Sequence, residues 1–412
     1  MLTLEQKNQF SDIFNDLTDN LDITQTQYDN AVTSYKAIGD QLSKEGSLLK
    51  PYKPKIRPQG SFMLGTMIKP IHGDDDLDID LICELSGKQS GWTQSDVKSI
   101  VGAQLAANET YKEMLKIPEG KRCWTLEYRK NSKIDSEQYH MDILPSIVNE
   151  GFYIMLSESK NFSSTEDWKS YALRITDNTL ANYNSETNHI QWLKSNPIGY
   201  GKWFFMRATL TKEIKMFNES IDPVPNNKRT KLPLQRVVQI LKRHRDMMFE
   251  GDEAKPISII ITTLAAKAYN HQSDVFEALS EIVSRMDYFI EERENFYGKK
   301  IKWISNPVNP DENFADRWET HPEREVNFYK WIVQVKLDIQ TIINSRNLGL
   351  QWISESMSKP FGNDIVRKVF SDYGQREKLI REAGKQTVAK SGFLGAAGGI
   401  KVQNHKFDGS NE

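Results

Sequence analysis

The stretch "GDDDLDIDLICEL", Gly73–Leu85, sets five aspartates within seven positions and then turns apolar. Within it Leu77, Ile79 and Leu81 alternate with Asp78 and Asp80. A β-strand sends alternate residues to opposite faces, so the apolar set packs inward while both carboxylates leave together on the other side. Their Cα atoms then lie about 6.6 Å apart, two strand steps. That spacing suits two divalent cations held about 3.5–4 Å apart by shared carboxylates. An isolated Asp-x-Asp is more often a solvated acidic turn, so the rest of the chain has to decide. An EF-hand calcium loop is excluded, because it needs Gly at its sixth position and Glu at its twelfth. Counting from Asp74 gives Ile79 and Leu85 there, and counting from Asp76 gives Leu81 and Gly87. His72, beside the turn, reads as a solvent-exposed residue rather than a ligand.

Two further features bear on that choice. "QGSFMLGT", Gln59–Thr66, lies just upstream. A Gly-Ser before a helical turn can aim backbone N–H groups and a hydroxyl at a phosphate. A Walker A loop is excluded, since Thr66 stands where that motif requires Lys. Alone, Gly-Ser is also a common turn. Downstream, "YHMDILPS" places Asp142 between Met141 and Ile143. A carboxylate in a buried strand is costly without a partner. Read alone, Asp142 fits an N-cap or salt-bridge role at least as well as catalysis.

The elements that must position these residues follow from periodicity. Residues 3–46 repeat apolar positions at helical spacing and predict one long or broken helix, a spine. Pro51, Pro54 and Pro58 predict an extended connection. Residues 66–84 read as two short strands around the aspartate-rich turn, and 94–116 as an amphipathic helix. "KRCWTLEYRK" and "EQYHMDILPSI" alternate with period two and predict paired strands. After about residue 190 helices dominate: 200–221, 231–249, 256–270, 273–292 and 322–346. The expected organisation is a mixed α/β lobe with its spine helix (1–190), a helical lobe (191–388) and a flexible tail (389–412).

Composition bounds the class. The chain has 412 residues, 38% apolar and 27% charged, with a formal charge of −2. That charge disfavours a dedicated nucleic-acid binder, and no obligatory nucleic-acid partner is expected. Cys83 and Cys123 are the only cysteines, too few for a disulfide framework or a zinc site, which fits a reducing compartment. The N-terminus is unlike a signal peptide. The most apolar run, from Ile257, is about half the ~20 residues a membrane span needs. The expectation is a cytoplasmic protein without a membrane partner. Residues 367–406 lean basic, a solvated helix face or a contact for a regulator.

The order Gly-Ser, then Asp-x-Asp, then one Asp on a later strand resembles the polymerase β-like nucleotidyltransferase superfamily. "PQGSFMLGT…DIDLICEL" is similar to the core of oligoadenylate synthases and of the bacterial cGAS/DncV-like nucleotidyltransferases, or CD-NTases, also called SMODS proteins. "NHIQWLKSNPIGYGKWF" (189–205) resembles a stretch of the bacterial members. "RVVQILKRHRDMM" followed by "KPISIIITTLAA" resembles their lysine-bearing and serine-bearing helices. The likeness covers residues 55–270. It implies an α+β fold, a nucleotidyltransferase lobe plus a helical lobe, with the active site in the cleft between them.

The resemblance implies roles residue by residue. Asp78, Asp80 and Asp142 would be the catalytic metal ligands for two Mg²⁺, with Mn²⁺ as a substitute. Gln59, Gly60 and Ser61 would hold the donor triphosphate, joined by Lys242 and Ser258. Read alone, Lys242 is a solvated helix lysine and Ser258 a first-turn helix residue. Tyr200, Trp203 and Trp192 read as core aromatics. Phe62–Met63–Leu64 departs from several relatives, so base selectivity does not carry over. The implied activity joins nucleoside triphosphates, ATP and/or GTP among them, into a cyclic di- or trinucleotide messenger with pyrophosphate release. A separate effector would read it in bacterial anti-phage (CBASS) signalling. The alternatives are the same fold transferring a nucleotide to an RNA end, protein or small molecule, and a non-catalytic nucleotide-binding module.

Overall fold

The computed structural model describes residues 2–71, 77–129, 138–148, 172–209, 231–383, 385, 387–388, 394–395 and 400–401. The turn 72–76, with His72, and most of the expected tail fall outside them. By contacts the chain divides into two units, residues 1–22, 236–289 and 320–412 in one, residues 23–235 and 290–319 in the other.

The spine forms as two helices, α1 (Leu4–Leu21) and α2 (Gln25–Ser43). Thr3 and Thr24 each accept from the third backbone N–H of their helix while Gln6 and Gln27 reach back, so each helix has its own capping box. The second box stops α1 from running on. Strand β1 (Lys55–Pro58) leads into the short helix α3 (Gly60–Leu64). Residues 66–70, expected as a strand, form none, and the acidic strand β2 runs Leu77–Leu85. The helix expected over 94–116 is two, α4 (Gln94–Ala106) and α5 (Glu109–Met114), because Asn108 caps the second. Strands β3 (Trp124–Tyr128) and β4 (Tyr139–Val148) pair antiparallel as expected. Next come β5 (Leu173–Ile175), β6 (Leu193–Ser195) and α6 (Pro197–Ala208).

The six strands make one mixed sheet in the order β1-β2-β4-β5-β6, with β3 also on β4. β2 and β4 are parallel neighbours, and β1 flanks β2 antiparallel. One sheet face is apolar throughout. Leu77, Ile79, Leu81, Cys83 and Leu85 pack with Met141, Ile143 and Ile147 against Tyr35, Ile38 and Leu42 of α2 and Val97, Val101 and Leu105 of α4. Gly102 lets α4 come close: a Cβ there would meet the Trp124 indole at 2.3 Å. That indole donates to the Lys98 carbonyl at 2.8 Å. Trp192, Tyr200 and Trp203 are buried, as read from the sequence.

The other unit is helical: α7 (Pro233–Phe249), whose first turn holds the division between units, α8 (Ser258–Ala268), α9 (Val275–Arg285), α10 (Pro322–Asn344), α11 (Leu350–Phe361) and α12 (Asn363–Glu382). Phe10 and Phe14 of α1 pack on Phe276, and Phe14 also meets Phe361 edge-on. The helix expected over 273–292 ends at Arg285. The following segment belongs to two small hairpins of the sheet unit, β7 (Glu291–Glu294) with β8 (Lys300–Trp303), and β9 (Ser305–Asn306) with β10 (Asn309–Asn313). β11 (Thr387–Val388), just before the stretch expected as a loose tail, pairs with β12 (Leu394–Gly395) and β13 (Ile400–Lys401) within it as a small antiparallel sheet.

Candidate active site

The second face of the same sheet is polar at one end. The parallel register sets Asp80 opposite Asp142 and Asp78 opposite His140. Directly paired residues in a ladder point to the same face, and Asp78 precedes Asp80 by one full pleat. All three expected carboxylates therefore leave one face of two adjacent strands. Their neighbours Leu77, Ile79, Leu81, Met141 and Ile143 are buried behind them. Asp78 is open, its side chain 83% exposed.

Strand β3 extends both rows. Thr125 is in register with Asp142 and Glu127 with His140. The Thr125 hydroxyl donates to Asp142 Oδ1 at 2.5 Å. His140 lies between Asp78 and Glu127, with Nδ1 and Nε2 each 3.9 Å from a carboxylate oxygen. Burial, then the charge of Asp142 and a hydrogen bond with it, push the Cys123 thiol up to about 12. It stays a protonated donor beside that carboxylate.

The Gly-Ser segment adjoins this face. Gln59 N–H donates to the Asp80 carbonyl at 2.9 Å, prolonging the β1–β2 ladder by one bond. Gly60 has φ +58°, and a Cβ built on it would lie 2.4 Å from Asp80 Oδ2. Only glycine lets the backbone pass that close to the carboxylate at this φ. Ser61 follows in the first turn of α3, half-buried, and its carbonyl accepts from Thr66 N–H at 3.0 Å. Gln235 fixes the far end of α3, its amide donating to the Leu64 carbonyl at 2.7 Å.

The sheet unit thus brings together Gln59, Gly60, Ser61, Asp78, Asp80 and Asp142. Lys242 and Ser258 lie in the helical unit. Lys242 is buried on α7, and Ser258 opens α8, its hydroxyl accepting from Arg245 Nη1 at 2.8 Å. Thr125, Glu127 and His140 were not singled out in the sequence. Their signal was the polar side of the period-two alternation in "CWTLEY" and "YHMD".

Three carboxylates on one face supply the hard oxygen donors that Mg²⁺ takes. Among the described residues no three His, Cys, Asp or Glu side chains are already gathered round one point. Like-charged carboxylates repel, and a divalent cation would offset that repulsion. The residues fit a divalent cation on these terms.

The chain is similar to known nucleotide-messenger synthases. Residues 9–170 match the family described as the Second Messenger Oligonucleotide or Dinucleotide Synthetase domain. A c-di-GMP synthase of Roseivirga ehrenbergii is 29% identical over 369 residues, 88% of this chain and 87% of the relative. The cyclic dinucleotide synthase CdnG of Bradyrhizobium diazoefficiens is 21% identical over 408 residues, 94% of this chain and 87% of the relative. In solved structures, the Bradyrhizobium diazoefficiens CD-NTase CdnG in complex with GTP matches with a TM-score of 0.61 at 18% identity, covering 89% of this chain and 99% of that one. E. coli CdnC in its HORMA complex matches at 0.54 and 16%, covering 85% and 96%. These structural likenesses establish the fold: α+β, a mixed sheet with helices and a helical C-terminal region.

Proposed function

We propose that this chain, whose residues 9–170 match the Second Messenger Oligonucleotide or Dinucleotide Synthetase domain, is a divalent-metal-dependent nucleotidyltransferase that makes a cyclic oligonucleotide. The observation that carries the reading is the register Asp80↔Asp142, with Asp78 on the same face and Gly60 against Asp80. A ribose hydroxyl of one nucleoside triphosphate attacks the α-phosphate of another. A phosphodiester forms and pyrophosphate leaves. A second attack within the linear product closes the ring and releases a second pyrophosphate.

Divalent cations such as Mg²⁺, held by the three aspartates, would neutralise charge at the α-phosphate and make the attacking hydroxyl more acidic. The protein's own part is placement. Asp78 and Asp80 leave β2 together, and Asp142 stands beside Asp80 from β4. Ser61 would donate its hydroxyl to the triphosphate, and Gln59 would support the turn. Gly60 keeps the space beside Asp80 clear. Lys242 and Ser258 are proposed as further triphosphate contacts on the family resemblance alone. GTP is the substrate we favour, because one relative is a c-di-GMP synthase and a structural neighbour holds GTP. The product would act on a separate effector.

The test is incubation with each nucleoside triphosphate, singly and in pairs, with Mg²⁺, then phosphatase treatment and mass spectrometry. A phosphatase-resistant cyclic product containing guanine is expected. Asp78→Asn with Asp80→Asn should lower synthesis on the order of 10³-fold or more, with an unchanged melting temperature. Label appearing only on added RNA or protein would overturn the reading.

A further inference from the structure

The acceptor of the Thr125 hydroxyl is an oxygen of a proposed metal ligand, and the strand carrying Thr125 is pinned on β4 and on α4. β3 lies in register on β4 from Trp124 to Tyr128. Trp124 occupies the gap left by Gly102 and bonds the α4 backbone at Lys98. The side chain of Thr125 is thereby aimed at the opposite face, where its hydroxyl meets Asp142 Oδ1 at 2.5 Å. Thr125 is 8% exposed, so water competes poorly for that bond. A β-branched side chain has few χ1 rotamers, so the hydroxyl stays where the backbone puts it.

We infer that Thr125 is a positioning residue for phosphoryl transfer: its hydroxyl engages Oδ1 of Asp142, leaving Oδ2 as the oxygen offered to a divalent cation. The inference rests on the nucleotidyltransferase reading above. A carboxylate free to spin offers either oxygen in any orientation, and a ligand oriented by a fixed donor loses less freedom on binding. The hydroxyl donates to the carboxylate without adding charge.

The test compares Thr125→Val, Thr125→Ser and Asp142→Asn with the parent protein. Mn²⁺ binding to the nucleotide-free protein is followed by the electron paramagnetic resonance signal of free Mn²⁺, and the synthesis rate is followed against Mg²⁺ concentration. Val keeps the shape and removes the donor. It should weaken Mn²⁺ binding about 10-fold or more, the range known for partners of metal ligands. The Mg²⁺ needed for half-maximal synthesis should rise in parallel, with an unchanged melting temperature. Ser should restore both values. Mn²⁺ binding by the Val variant equal to that of the parent overturns the inference, and so does failure of Ser to restore it. If Val prevents folding, Thr125→Ala replaces it in the comparison with Ser. Asp142→Asn separates the levels. If it retains both Mn²⁺ affinity and synthesis, Asp142 is not a metal ligand and the role of Thr125 falls with it, whereas a parent protein that makes no product from nucleoside triphosphates overturns the nucleotidyltransferase reading itself. If it loses both while Val loses neither, only the role of Thr125 falls.

Discussion

The two faces of β2 are made from one nine-residue run yet obey opposite rules. Leu77, Ile79, Leu81, Cys83 and Leu85 face a packed apolar cluster. Asp78, Asp80, Ile82 and Glu84 take the other side, which passes from exposed charge at Asp78 to a buried ion pair at Glu84. There Arg57 Nε donates to Glu84 Oε2 at 3.0 Å, with both side chains nearly inaccessible. Ile82 lies between these ends, packed with Val148 and Leu173. The apolar face anchors the strand, and the anchoring allows neighbouring carboxylates on the other face to repel one another without unfolding it. Charge is tolerated where it is open or paired, and nowhere else on this strand.

That contrast can be broken most severely at Leu81. Leu81→Asp puts an unpaired carboxylate into the packed cluster and should cost about 5 kcal/mol or more. Circular dichroism should show no cooperative melt for the sheet unit, whereas Asp80→Asn, one residue away on the other face, should melt like the parent. Glu84→Ala probes the buried end. It removes the carboxylate beside Arg57 and should cost roughly 3–5 kcal/mol, read by urea unfolding. Oε1 of Glu84 has no hydrogen-bond partner among the described residues, so replacing both members by apolar residues of similar size should recover much of that loss. Gly60→Ala sharpens the comparison at the open end. The positive φ should cost about 1–2 kcal/mol of stability. The new Cβ must displace the Asp80 carboxylate, so synthesis should fall on the order of 10²-fold, more than the stability change accounts for.

The shared face of Asp78, Asp80 and Asp142 was legible in the sequence because its carriers are period-two strands. Alternation in "LDIDL" separated Asp78 and Asp80 from their anchors, and "YHMDI" did the same for Asp142. The supporting strand was legible as a strand but not as a partner. Which residues of β3 meet Asp142 depends on register, which a single sequence does not state. A helix end was missed at Asn108, where a capping residue interrupts an otherwise helical pattern, whereas the break before Thr24 falls within the long or broken helix expected over 3–46. The short hairpins from Glu291 to Asn313 were missed for the opposite reason. β7, β9 and β10 are polar throughout, and the alternation of Ile301 and Trp303 in β8 spans only four residues, too short a run to mark a strand. Residues 66–70 mimic a strand in composition but form none, and β2 is flanked by β1 and β4.

β2 and β4 run side by side in the same direction, so the chain cannot join them with a tight turn and must first lay down α4, α5 and β3. A one-residue slip between the two strands would send Asp142 to the wrong side. No partly folded fragment that lacks this long-range crossover can own a working centre. Turnover should therefore appear during refolding only with the last, slowest pairing step, which makes messenger output a direct reporter of the fully assembled sheet.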